Sequence, residues 1–176
     1  MTATLTRPTA VVIAGPGTNR DRDVADALQL AGAAPRIALV DELIAGTDDS
    51  LDAADVVVVA GGFSYGDALG AGRMLAADVV NRDGGRLGDA LRAAVERQRP
   101  IIGICNGFQT LTHAGLLPGA LGANDSGHFR CSWVALATDP ASHCVWTADA
   151  PAVIDCPIAH GEGRYVHPDP EALAAN

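Results

Sequence analysis

Short apolar runs alternate with amphipathic segments through the first two thirds of the chain. The runs consist mainly of Val, Ile and Ala, which is typical of strands buried on both faces of a sheet. Four such strands are predicted, at Thr9–Ala14, Pro35–Val40, Ala54–Gly62 and Pro100–Cys105. The third contains four consecutive valines and ends at a double glycine.

The segments between the runs have helical periodicity. In Asn19–Ala33 the apolar residues Val24, Leu28 and Ala31 share one face, and Gly32 ends the pattern. Further helices are predicted at Gly70–Val80, Arg86–Gln98 and Asn106–Gly115. Alternating strands and helices predict an α/β fold, with right-handed crossovers and a parallel sheet covered by helices on both faces.

Beyond Gly115 the pattern changes. The segments His128–Ala137 and Pro151–Gly161 read as strands with no helix between them, so a mixed or antiparallel C-terminal extension is predicted. A length of 176 residues, without an internal repeat or a linker, predicts a single domain over 1–176.

Composition narrows the functional classes. The formal net charge is −9, and all twelve basic residues are arginines, which are scattered along the chain. The absence of lysine from the sequence excludes a phosphate-loop lysine and a Schiff-base lysine. An acidic chain with scattered arginines is a poor binder of nucleic acid. These properties predict a protein that acts on small molecules.

Neither a targeting segment nor a metal site is predicted. The first apolar run, Ala10–Ala14, is too short for a signal core or a membrane span, which favours a cytoplasmic protein without a membrane partner. The four cysteines form no C-x-x-C pair, and the histidines and carboxylates lack metal-ligand spacing.

The segment Gly103–Gly107 has the form G-x-C-x-G between a predicted strand and a predicted helix. This is the cysteine form of a nucleophile elbow, in which small flanking residues permit a strained turn that exposes the sulfur. The helix dipole favours the thiolate of Cys105, and the backbone N–H of Asn106 is placed to stabilise an oxyanion. A buried cysteine in a glycine-rich turn fits the short pattern equally well.

Neighbouring residues favour the catalytic interpretation. Gln109 follows Cys105 by one helical turn, so its amide is expected on the same side as the sulfur. The segment Gly61–Asp67 ends a neighbouring strand, and its Gly62 or Phe63 is a candidate for the second oxyanion donor. The alternative for this segment is a plain turn.

Four motifs in order resemble one known family. The segments GGFSYGDALGAGRMLA, GICNGFQTLTHAGLLPGAL, N…GHFRCSWV and PIAHGEGRY are similar to those of the glutaminase subunits of phosphoribosylformylglycinamidine synthase, which are class I glutamine amidotransferases. The resemblance extends from Val11 to about Tyr165. It implies a flavodoxin-like, doubly wound, mainly parallel sheet and the hydrolysis of glutamine to glutamate and ammonia.

The resemblance also implies partners and roles. The ammonia would pass to a synthetase subunit, which uses ATP and magnesium to make formylglycinamidine ribonucleotide. A small accessory subunit would be a further partner. This chain itself would need no cofactor. Cys105 would form a glutamyl thioester, Asn106 and Gly62 or Phe63 would supply oxyanion N–H groups, and Gln109 would hold the substrate. The segment from His128 would line the pocket, and the loop around His160 would lie toward its mouth and the partner.

The general base is missing from the expected place. In the family a late His-Pro-Glu motif supplies it, and the HPDPE segment His167–Glu171 has the wrong spacing, so the chain is expected to lack a C-terminal segment. His160 and Glu162 are substitutes, because a spacing of two in an extended segment puts both on one side. The favoured alternative is that His160 anchors its loop and Glu162 pairs with Arg164 or a partner subunit.

Two other functions compete with the glutaminase hypothesis. The elbow also occurs in cysteine hydrolases and chaperone-like proteins with a related sheet, although such proteins would not need the GGFSYGD and HGEGRY segments. A catalytically silent module that docks on a synthetase is favoured by the missing base. Retention of Cys105 and Gln109 opposes it.

Overall fold

The computed structural model describes residues 7–169 and 171. The chain divides into two compact units, Met1–Leu117 and Pro118–Asn176. The predicted domain limits at positions 1 and 176 lie outside the described residues, and the single domain stays a prediction.

The first unit contains a four-stranded parallel sheet with the strand order β2-β1-β3-β4. Val12 of β1 pairs with Ile37 of β2 on one side and with Val58 of β3 on the other. The chain therefore adds strands first on one side of β1 and then on the other. The strands are β1 (Thr9–Ala14), β2 (Ala34–Leu39), β3 (Val56–Val59) and β4 (Ile101–Gly103).

In the described part of this unit, α-helices surround the sheet. The predicted helices are found with ends shifted by a few residues: α1 (Asp21–Leu30), α4 (Arg73–Asn81), α5 (Arg86–Glu96) and α6 (Asn106–His113). Two short helices were not predicted, α2 (Val40–Ala45) and α3 (Ser50–Ala53).

The second predicted strand, Pro35–Val40, is shifted by one residue from the observed β2, Ala34–Leu39. Val40, expected to end it, instead begins α2 and is fully buried. Asp41 and Glu42 follow in the first turn of that helix, where carboxylates interact favourably with the helix dipole.

The two faces of the sheet carry separate apolar clusters. Val11 and Ile13 of β1 pack with α2, α4, α5 and α6, whereas Val12 packs with Val24 of α1 on the opposite face. Successive side chains of a strand point to opposite faces, so a run with no polar residue is needed where both faces are covered. This arrangement confirms the doubly wound α/β sheet.

The second unit consists of antiparallel pairs, as predicted for the C-terminal region. β6 (Arg130–Ala137) pairs with β7 (Val153–His160), and β5 (Ala120–Gly122) pairs with β8 (Arg164–Val166), in two separate two-stranded sheets. The short strands β5 and β8 were not predicted. In the described part of the chain, no helix has the length and apolar character needed to cross a membrane.

Candidate active site

The loops that follow β1, β3 and β4 meet at the carboxyl edge of the sheet. The N–H of Asn19 donates to the carbonyl of Gly62 at 3.1 Å, and the N–H of Tyr65 donates to the carbonyl of Pro16 at 2.7 Å. A Cβ atom added to Gly61 would lie 3.3 Å from the Cβ of Cys105. Parallel sheets bind ligands at this edge, where the strand order reverses. The three predicted glycine-bearing strand ends are therefore found together.

Cys105 lies on the turn between β4 and α6. Its φ of 51° and ψ of −108° are rare for a residue with a side chain, and such strain is common at catalytic residues. The side chain is exposed. The alternative of a buried cysteine is therefore wrong.

The two glycines that flank Cys105 are required by close packing. A Cβ atom on Gly107 would lie 2.0 Å from the carbonyl oxygen of Val59, and one on Gly103 would lie 2.6 Å from the backbone of Gly107. Only glycine permits the first turn of α6 to approach the ends of β3 and β4 this closely. The G-x-C-x-G spacing thus fixes the position of the sulfur.

Three backbone N–H groups near Cys105 are candidates for an oxyanion hole. Asn106 is the first residue of α6, so its N–H has no acceptor within the helix. Among the described residues, the amides of Gly62 and Phe63 donate no hydrogen bond. The carbonyl of Gly62 is bound by Asn19, which fixes the orientation of the peptide between Gly62 and Phe63. The oxyanion roles stay predictions that this geometry suits.

The side chain of Asn106 was not predicted to have a role, yet it binds the neighbouring loop. Its Oδ1 accepts hydrogen bonds from the Ser64 N–H at 3.1 Å and from the Ser64 hydroxyl at 2.5 Å. Its Nδ2 donates to Asp67 at 2.8 Å and to Gln109 at 3.4 Å. In the sequence, the only indication that Ser64 and Asp67 contribute to the site is that they are polar residues within a glycine-rich segment.

Gln109 is buried, with 7% of its surface exposed. Its N–H donates to the carbonyl of Cys105 at 3.1 Å, as expected one helical turn later, and its side-chain oxygen accepts from Asn106. The predicted contact between Gln109 and a substrate stays a prediction.

Tyr65 connects the same loop to α4. Its hydroxyl donates to Asp78, which also lies 3.5 Å from Arg82, and Arg82 pairs with Asp41 at 2.6 Å. Burial, followed by the hydrogen bond to the Asp78 carboxylate, raises the pKa of Tyr65 to about 12. The phenol is thus held in its neutral, donating form.

His160 is the last residue of β7 in the second unit and directly precedes the loop that contains Glu162. Its Nδ1 lies 2.9 Å from Asn124 Oδ1, and Asn124 also donates to the carbonyl of His160 at 2.8 Å. Arg164 pairs with Asp125 at 3.0 Å. These bonds agree with His160 as a loop anchor, and the roles of His160 and Glu162 in proton transfer stay predictions. In the described residues, no group of three or more His, Cys, Asp or Glu side chains is placed to hold a metal ion.

The family profile for the CobB/CobQ-like glutamine amidotransferase domain matches residues 7–176. The chain is 40% identical over 179 residues to the phosphoribosylformylglycinamidine synthase subunit PurQ of Treponema denticola, an alignment covering 91% of this chain and 64% of the relative. Against the PurQ subunit of Pyrobaculum aerophilum, identity is 47% over 156 residues, with 88% and 68% covered. The chain therefore spans about two thirds of the length of these curated relatives.

A solved structure has the same fold. The structure of PurLQS from Thermotoga maritima superimposes with a TM-score of 0.74 and 38% sequence identity, covering 93% of this chain and 71% of that chain.

Proposed function

Because the chain belongs to the family of CobB/CobQ-like glutamine amidotransferase domains, we propose that it is a glutaminase subunit of phosphoribosylformylglycinamidine synthase. One observation carries this proposal beyond the similarity: an exposed Cys105 in a strained turn lies beside backbone N–H groups that have no acceptor among the described residues. The PurQ relatives bear the name of that synthase.

In the proposed reaction, the thiolate of Cys105 attacks the side-chain carbonyl carbon of glutamine. The N–H of Asn106, with that of Gly62 or Phe63, stabilises the negative charge that develops on the carbonyl oxygen. Cleavage of the C–N bond releases ammonia and leaves a γ-glutamyl thioester on the sulfur. Water then attacks the thioester, which releases glutamate and regenerates the thiol.

A general base must take the thiol proton and return it to the leaving nitrogen. The His-Pro-Glu motif that the resemblance implies for this step does not occur in residues 1–176. Among the described residues, His160 beside Glu162 is the candidate raised by the sequence. His160 therefore belongs among the variants to be tested.

The ammonia is proposed to pass to a synthetase subunit that uses ATP and magnesium to form formylglycinamidine ribonucleotide. Similarity to PurLQS from Thermotoga maritima supports a synthetase subunit and a small accessory subunit as partners. The four cysteines of this chain are free thiols, which suits a reducing compartment such as the cytoplasm.

The decisive experiment measures glutamate release from glutamine in the presence of the synthetase subunit. We expect Cys105→Ala to lower kcat by about a thousandfold or more, because the substitution removes the nucleophile. Cys144→Ala is the matched control, since Cys144 is also exposed and lies outside every segment to which a role in the reaction is assigned. His160→Asn tests the base in the same assay.

A glutamine-mimicking diazo-ketone gives a second measurement. It should alkylate Cys105 and leave the exposed Cys131 and Cys144 unmodified, whereas iodoacetamide should modify all three. Glutaminase activity that survives Cys105→Ala would show that the nucleophile assignment is wrong. Absence of activity from the unaltered protein as well would favour the silent docking module.

A further inference from the structure

The loop that follows β3 is strained at several positions. Phe63, Tyr65 and Asp67 have φ angles of 56°, 55° and 54°, a left-handed conformation that side chains other than those of glycine disfavour. Such conformations persist only where surrounding groups hold them, and they cluster at functional sites. The strained residues directly follow Gly62, whose N–H, with that of Phe63, is a candidate oxyanion donor.

The side chain of Asn106 holds this loop at two points. Ser64 is 2% exposed, and both its N–H and its hydroxyl donate to Asn106 Oδ1. Asp67, at the far end of the strained segment, accepts from Asn106 Nδ2 at 2.8 Å. Asn106 is itself 3% exposed, so water offers little competition for these bonds.

The position of Asn106 gives these bonds a chemical meaning. It directly follows Cys105, and its own N–H is the first of helix α6. One residue therefore presents a backbone donor beside the sulfur while its side chain fixes the loop that carries the second donor. Oxyanion stabilisation depends on donors that are oriented before the charge develops.

We propose that the side-chain amide of Asn106 is a positioning group for the amidotransferase reaction. It holds the loop Gly61–Asp67, including its left-handed residues Phe63, Tyr65 and Asp67, in the conformation that directs the N–H of Gly62 or Phe63 toward the substrate carbonyl oxygen. The proposal rests on the glutaminase function proposed above. It concerns the side chain, whereas the resemblance assigns only the backbone N–H of Asn106.

The substitution Asn106→Asp tests the donating half of the amide. It keeps an acceptor for Ser64 but places a carboxylate against Asp67, where Nδ2 now donates. In the complex with the synthetase subunit, we expect kcat to fall by about 100-fold, comparable to the loss of one oxyanion donor, with a much smaller change in KM. Asn81→Asp is the matched control, since it adds the same charge at the exposed end of α4.

A reciprocal exchange should restore activity. In the double variant Asn106→Asp with Asp67→Asn, the new amide at position 67 can donate to the new carboxylate at position 106, so the bond returns with donor and acceptor exchanged. We expect kcat of the double variant to recover at least about tenfold over the single variant. Such recovery would show that kcat depends on the hydrogen bond between positions 67 and 106, and urea unfolding of the single variant would show whether folding accounts for its loss of activity.

The pH profile is an independent measurement. In the single variant, protonation of one of the two carboxyl groups at positions 67 and 106 would recreate a hydrogen bond between them. Activity of that variant, expressed relative to the unaltered protein at each pH, should therefore rise as pH falls from about 8 to about 5. Cys105 and Tyr65 are the titratable groups that flank the pair, and the double variant, which carries the same carboxylate at position 106, controls for its effect on them. The relative activity of the double variant should not rise as pH falls.

The outcomes separate this inference from the proposed function. Cys105-dependent glutaminase activity of the unaltered complex is the reference, and its absence would overturn both. With that reference present, a single variant within about twofold of it would refute the positioning role. Equal losses in the single and double variants, with no dependence on pH, would also refute it.

Discussion

Tyr65 shows how individual residues hold the loop beside Cys105. A non-glycine residue at positive φ costs about 1–2 kcal/mol relative to the right-handed conformation, so the loop needs external bonds. Tyr65 supplies two, an N–H bond to Pro16 at 2.7 Å and a hydroxyl bond to Asp78. The second depends on the protonated phenol, so its contribution depends on pH.

Alkaline titration should reveal this bond. The pKa of Tyr65 is raised from 10.0 to about 12, so in that interval the folded state holds a proton that the unfolded state has released. The resulting stability is complete below about pH 10 and is lost as pH rises through about 12. We expect Tyr65→Phe to lower the free energy of unfolding by about 1–2 kcal/mol at pH 8.

Urea unfolding of both proteins across this pH range is the measurement. The difference between them should shrink as pH rises, and the contributions of Tyr165 and the cysteines cancel because both proteins contain these residues. A difference that stays constant up to about pH 12 would show that the phenol of Tyr65 titrates normally.

At the scale of elements, the length of the hydrophobic pattern determined which helices and strands could be predicted from the sequence. The four parallel strands and four longer helices were predicted because apolar runs and helical periodicity extend over many residues. The short helix at Val40–Ala45 and the three-residue strands β5 and β8 carry too few residues for a period to be recognised. Their formation depends on tertiary packing.

The candidate site also has features that the sequence predicts and features that it does not. The turn at Cys105 was predictable because glycines mark close backbone approach. The bonds from Asn106 to Ser64 and Asp67 join positions 42 and 39 residues apart, and no local pattern encodes them. The position of the Cys105 sulfur could therefore be predicted from sequence motifs, whereas the side chains that orient the loop beside it are evident only in the structure.

Gly107→Ala tests the contact between α6 and β3. Alanine is favoured over glycine within a helix by about 1 kcal/mol, yet its Cβ atom would meet the Val59 oxygen at 2.0 Å. We expect a net loss of about 2–3 kcal/mol in the free energy of unfolding, because the helix must move away from the sheet. The measurement is urea unfolding of the purified chain.

Gly115→Ala is the control for this substitution. Gly115 follows α6 with a φ of 70°, and an added Cβ atom would have no neighbour within 4 Å among the described residues. We expect a loss of about 1 kcal/mol from backbone strain alone. Similar losses for the two variants would contradict the close approach at Gly107.

At the scale of the whole molecule, the two units differ in how their strands are covered. β1 and β3 lie between two apolar clusters, and every residue of β1 except its first is buried. The structure describes every residue of β6 and β7, which form an antiparallel hairpin, and none of these residues is buried. Trp133 of β6 and Val153 of β7 are 73% and 56% exposed. A two-stranded ribbon without a covered face is only marginally stable.

Hydrogen exchange should therefore divide the chain into slow and fast parts. Exchange from β1 and β3 requires opening of the buried sheet, whereas exchange from the hairpin requires only local opening, so protection factors should differ by about 100-fold or more. Peptide-resolved deuterium uptake measured by mass spectrometry would test this. β2 is the internal control, because it is a parallel edge strand in which only Ala38 is buried, and its protection should be intermediate. Equal protection in β1 and the hairpin would mean that the hairpin opens only together with the sheet, contrary to the stability expected from its exposure.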